Sequence, residues 1–253
     1  MASNFSSIGM PVKTEDDMYK MLIKASKNSE KIFCEHGYYS IWSSKKGGAE
    51  LWVHVDKAKN EIIGINPFYN GESNYSVGII NKIEKKDYDD FEGLFYCWAN
   101  PVNDNPNDGC YPFAFDCLNI SAVEKKELPC IRKIRLSAFA HELRIYSDEN
   151  DYNLKQTNKF HYASKSFIPS GLFPPEENDN EPFEIIPEAI FTGIILDYKK
   201  YVNELAGKKY YWIKTETYGG IIDVVADPEF IVCDLNINGV ISGIFYLCGK
   251  IIE

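Results

Sequence analysis

The sequence predicts a mainly β (α+β) protein: an N-terminal helix on a β-rich domain, followed by a small β barrel. Three observations predict it. Aromatic residues make up 14% of the chain, with 17 Tyr and 15 Phe, and large flat side chains suit half-buried pleated surfaces. Apolar and branched residues recur in short runs of strand length. Between the runs lie Lys46-Gly47-Gly48, Tyr69-Asn70-Gly71 and Tyr218-Gly219-Gly220, punctuation that suits the turns of an antiparallel sheet or barrel.

The helix is expected near the start. Thr14 can cap it, Asp17 follows three residues on, and Glu15, Asp16 and Asp17 suit the positive end of the helix dipole. Met18, Met21, Leu22 and Ala25 share one face, and Gly37 is expected to end what remains of the helix. Strands are expected at 38–42, 50–55, 62–66, 75–83, 93–98, 113–118, 189–198, 210–217, 221–226 and 239–252. The piece 131–146 reads two ways: Ile134, Leu136, Ala138 and Ala140 alternate as in a strand, while Ala138-Phe139-Ala140-His141-Glu142-Leu143-Arg144 also suits a helix. Residues 147–162 are polar and are expected to include a short helix. Residues 163–188 carry an acidic, proline-containing stretch and read as a linker or loop. Three parts follow: a helix plus antiparallel β domain over 1–162, the linker over 163–188, and a small barrel over 189–253.

Two pieces look alike. Leu51-Trp52-Val53-His54-Val55-Asp56 with 61–68 resembles Tyr211-Trp212-Ile213-Lys214-Thr215-Glu216 with 220–230, and Gly93-Leu94-Phe95-Tyr96 resembles Gly243-Ile244-Phe245-Tyr246. Duplication of a small barrel is one reading; the general likeness of aromatic hairpins is the leading one.

The formal charge of −10, from 27 basic against 37 acidic residues, and the lack of a dense basic run disfavour nucleic acid and anionic membrane surfaces as partners. The first residues lack the pattern of a signal peptide, and no apolar stretch approaches the ~20 residues needed to cross a bilayer. The seven cysteines are an odd, scattered set that reads as free thiols in a reducing compartment, so a cytoplasmic location is expected.

The segment 189–252 is similar in outline to an OB-fold barrel: the strand Phe191-Thr192-Gly193-Ile194-Ile195, a long hairpin over 203–209, the turn at Gly219-Gly220 and the closing Gly243-Ile244-Phe245-Tyr246 carry the likeness. The whole chain also resembles uncharacterised bacterial proteins. The OB resemblance implies binding of an oligonucleotide, an oligosaccharide or a protein.

His54 and Asp56 stand two apart on a strand and face the same way, so the carboxylate could orient the imidazole for general-base work; the competing reading is an exposed polar face. His141-Glu142 lacks the second histidine of a metalloprotease, position 145 being Ile145. Cys34-Glu35-His36 has no matching ligand pair, and the loop 103–109 lacks the closing glutamate of a calcium loop. Neither a phosphate loop nor a nucleophile elbow is present. No metal and no cofactor are expected. Trp52 and Trp212 are candidate binding residues if exposed and core residues otherwise.

The leading functional expectation is a non-enzymatic cytoplasmic binding or protein-interaction protein, with neutralisation of a basic protein partner in the manner of an immunity protein as one form. The alternatives are a hydrolase built on His54, Asp56, His141 and Glu142, and an OB-type binder of nucleic acid or glycan.

Overall fold

The computed structural model describes residues 3–85, 88–157, 161–173 and 184–253. It is mainly β, and most of its strands fall on the runs expected from the sequence; Glu30–Phe33 and Ser166–Ile168 are strands where none was expected. Helix α1 spans Glu15–Ser26. Its N-terminus is a reciprocal capping box: the Thr14 hydroxyl accepts from the Asp17 N–H at 3.1 Å, and the Asp17 carboxylate accepts from the Thr14 N–H at 3.1 Å. Thr14→Ala should cost about 1 kcal/mol, read as a lower urea midpoint with an unchanged slope. The helix stops well before Gly37. Strand β1 (Glu30–Phe33) follows it and pairs antiparallel with β2 (Gly37–Ser43). Gly37 instead opens β2, paired with Asp56, and the position needs glycine because a Cβ there would stand 1.9 Å from the Val55 carbonyl oxygen.

With β3 (Ala49–Asp56) and β4 (Glu61–Tyr69), these strands form a four-stranded antiparallel sheet in chain order. Nearly all of β3 is buried, since both of its faces are covered. Val53 and Val55 line a crevice with Leu22 and Ala25 of α1. On the opposite face Trp52 lies under the Lys250 ammonium, which belongs to the second sheet. This overturns the expectation of an exposed polar face on β3.

The second sheet has nine strands: β5 (Asn74–Ile83), β6 (Gly93–Ala99), β7 (Pro112–Cys117), β8 (Cys130–Tyr146), β9 (Ser166–Ile168), β10 (Glu188–Val202), β11 (Lys209–Thr217), β12 (Gly220–Ala226) and β13 (Val240–Ile251). A short helix, α2 (Glu149–Lys155), follows β8 where one was expected. The segment 131–146 is strand throughout. Its helix-like look arises at a bulge, where Ala140 pairs with Phe245 and Glu142 with Ile244, leaving His141 as the extra residue.

The pairings close two rings of five strands. In the first, β5, β6 and β7 run antiparallel in turn, β7 lies parallel to β13, and β8 closes between β13 and β5. In the second, β10, β11 and β12 run antiparallel, β12 lies parallel to β8, and β13 closes between β8 and β10. β8 and β13 are thus walls of both. One edge of β8 pairs with β5 along its first half and with β12 beyond; β13 does the same with β10 and β7.

The rings are related as β5–β8 to β10–β13. Asp116 of β7 pairs with Cys248, Asp223 of β12 pairs with Ser137, and Ser137 and Cys248 are themselves cross-strand partners. This repeat is not the one the sequence suggested. The Trp52 hairpin belongs to the four-stranded sheet, and Gly243 lies on β13, whose counterpart is β8 rather than β6.

The division at 163–188 also needs correction. Strands β10 to β13 do not close on themselves; they need β8, from the 1–162 segment, as a fifth wall. Ser166–Ile168 of the expected linker pairs with β10 as β9, while residues 174–183 of it lie outside those described. A continuous core fills both rings, with Phe113, Phe115, Ile134 and Leu136 in the first and Phe191, Ile213, Val224 and Phe245 in the second. Phe191 and Phe245 stack with centroids 3.8 Å apart.

Candidate functional site

The four residues of the hydrolase reading are not hydrogen-bonded to one another. His54 is fully buried and its Nδ1 lies 3.0 Å from Asp89 Oδ2. The Asp56 carboxylate instead shapes the β3–β4 turn, accepting from the N–H groups of Ala58 and Lys59 at 2.7 and 2.8 Å. His141, at the β8 bulge, lies 2.9 Å through Nε2 from Asn4 Oδ1, and burial pulls its pKa below the ordinary value. Glu142 is exposed. The two tryptophans are not presented as stacking faces either. Trp52 is 3% exposed and its indole N–H donates to Glu50 at 2.8 Å; Trp212 is half-buried and donates to Asp223 at 2.6 Å.

What the structure does assemble is a polar seam between the two sheets. His54, Asp89 and Glu92 bring their ligand atoms within 4.8 Å of one another. His54 stacks on Phe91, with Tyr39 set edge-on to it. Burial works to raise Asp89, but the hydrogen bond and charge of His54, with the Phe91 and Glu92 amides, outweigh it and hold the carboxyl below the ordinary value. Burial raises Glu92. Further along the seam the buried Glu50 faces Lys250 at 3.4 Å, and Asp116 accepts from the hydroxyls of Tyr88 and Tyr246.

A second constellation lies at the end of the first ring, where β8 begins and β13 ends. A cavity of about 350 Å³ opens there, floored by Ile79, Phe95 and Ile251. Lys82, Lys125, Lys126 and Arg132 line it, opposed by Asp90 and Glu124. Arg132 is 6% exposed and donates to the Glu124 carbonyl oxygen; among the described residues no carboxylate lies within ion-pair distance of it. The volume and the apolar floor are ordinary properties of a small-molecule pocket, and barrel mouths are a common place for one.

Sequence reading reached His54 but missed Asp89, Glu92 and Arg132. Arg132 did leave a signal, because it shares parity on β8 with Ile134, Leu136 and Ala138, which all face the core. Among the described residues no helix is long and apolar enough to cross a membrane. Comparison with protein-family models, with curated proteins and with solved structures finds no match for this chain.

Proposed function

We propose that this chain is a binding protein whose ligand seats at the mouth of the first ring, with an apolar body on Ile79, Phe95 and Ile251 and an anionic group, carboxylate or phosphate, on Arg132. The observation that carries this reading is Arg132, a nearly buried guanidinium with no carboxylate partner among the described residues. An uncompensated buried charge costs several kcal/mol, and guanidinium binds planar or tetrahedral oxyanions through paired donors. Lys82, Lys125 and Lys126 outnumber Asp90 and Glu124 around it. All seven cysteines are free, which supports placing the protein in a reducing cytoplasm. Neutralisation of a basic protein partner draws on the net charge of −10 and on no particular surface, so the pocket is the better-supported reading. The nucleic-acid or glycan reading needs exposed aromatic faces, which Trp52 and Trp212 do not supply.

Calorimetric titration with octanoate, octyl phosphate and octan-1-ol tests this. The two anions should bind and the alcohol should bind more weakly. Arg132→Gln should weaken anion binding about ten- to a hundred-fold, as expected for loss of a charged hydrogen bond worth roughly 1.5–3 kcal/mol. Equal affinity for alcohol and carboxylate, or indifference to Arg132→Gln in a folded variant, would remove the reading.

A further inference from the structure

We propose that His54, Asp89 and Glu92 form a binding site for a divalent transition-metal cation of the Mn²⁺ or Zn²⁺ kind, within the seam between the two sheets. The spacing suits it. Metal–ligand bonds to imidazole nitrogen and carboxylate oxygen are ~2.0–2.2 Å, which sets neighbouring ligand atoms about 3 Å apart. His54 Nδ1 and Asp89 Oδ2 stand at 3.0 Å, and Glu92 completes a group within 4.8 Å.

The charge balance points the same way. Two carboxylates share this half-buried site, and among the described residues neither makes an ion pair with a lysine or arginine. The imidazole is the base in hydrogen-bond contact with Asp89, while the Lys82 charge acts on Glu92 without pairing with it. Protonating the imidazole balances one carboxylate only. A divalent cation balances both carboxylates.

The surroundings leave room and hold the ligands in place. Gly64 lies opposite His54 across β3 and β4, and a Cβ there would stand 2.5 Å from His54 Nδ1 and 2.9 Å from Asp89 Oδ2. The loop bearing the carboxylates is fixed from outside: the Tyr39 hydroxyl donates to the Phe91 carbonyl oxygen at 2.6 Å, and the Asn66 amide donates to Glu92. One nitrogen with two oxygens, and no sulfur, favours manganese, iron or zinc over calcium or copper(I).

The test is titration of the full chain with Mn²⁺, followed by the loss of the free-ion spin-resonance signal. Mn²⁺ is the probe because free thiols such as Cys110 and Cys233 are exposed and would take up Zn²⁺ elsewhere. One equivalent should bind, Zn²⁺ should displace it, and bound Mn²⁺ should raise the melting temperature. Glu92→Gln, which keeps the side-chain shape, should weaken binding at least ten-fold, and Gly64→Ala should do the same by filling the space beside Nδ1. Arg132→Gln should leave Mn²⁺ binding unchanged, so the two proposals stand or fall separately. Wild-type binding absent at millimolar Mn²⁺, or equal in wild type and in folded Glu92→Gln, overturns the site.

Discussion

Asp223→Ala is expected to lower the unfolding free energy by about 3–5 kcal/mol, since it removes a buried charged acceptor from three donors at once. Oδ2 accepts from the N–H groups of Glu72 and Ser73 at 2.9 and 2.7 Å, and Oδ1 accepts from the Trp212 indole at 2.6 Å. The residue is fully buried, so water does not replace the lost acceptor. Those bonds tie β12 and β11 to the start of β5, across a distance in sequence that no local propensity spans. Gly71 belongs to the arrangement, because a Cβ at that position would stand 2.1 Å from Asp223 Oδ2. Urea unfolding followed by tryptophan fluorescence checks the prediction. Asp223→Asn should lose less, as it keeps one acceptor oxygen; an alanine variant within 1 kcal/mol of wild type would show these bonds to be unimportant.

Asp116, the counterpart of Asp223 in the first ring, should instead make stability depend on pH. Burial pushes its carboxyl up to about 7, the charge of Glu92 adds to this, and the Tyr88 hydroxyl and Lys85 work against it. A carboxyl raised in the fold above its unfolded value of 3.8 gives stability that is full below about pH 4 and is lost as pH rises through about 7. The span converts to about 4 kcal/mol at 1.36 kcal/mol per unit, which partial exposure trims to roughly 2–4 kcal/mol. Asp116→Asn holds the uncharged form at every pH. Its urea midpoint should vary less between pH 5 and pH 8 than that of the wild type, and should lie above the wild type at pH 8. Parallel profiles for the two proteins would count against a perturbed Asp116.

Much of the fold could be read from residues. Alternation with glycine turns located the strands because each run had one side destined for a core; the two-residue turn at Tyr218-Gly219 is one case, with Gly219 at φ +89°. β1 escaped because all four of its residues are exposed, which leaves no alternation to detect. The closure of the rings was hidden for a different reason. Which strands share an edge depends on backbone hydrogen bonds between residues about a hundred positions apart, and the side chains that mark the repeat, Asp116 and Asp223, have different partners in the two rings. At the site, strand parity puts His54 and Asp56 on one side of β3, but Asp56 ends the strand and its carboxylate serves the turn. The carboxylates that meet His54 come from a loop 35 residues on, chosen by tertiary packing rather than by neighbourhood in the chain.

Because β8 and β13 each serve two enclosures, neither enclosure is an independent folding unit. Melting one opens a wall of the other, so heat or denaturant should dismantle them in a single cooperative step. The order of synthesis sharpens the point: β13 comes after the other described strands of both rings, so a growing chain holds two half-built shells with bare edges until β13 arrives. Those edges are the stretch of the protein's life in which wrong pairing with another chain is easiest.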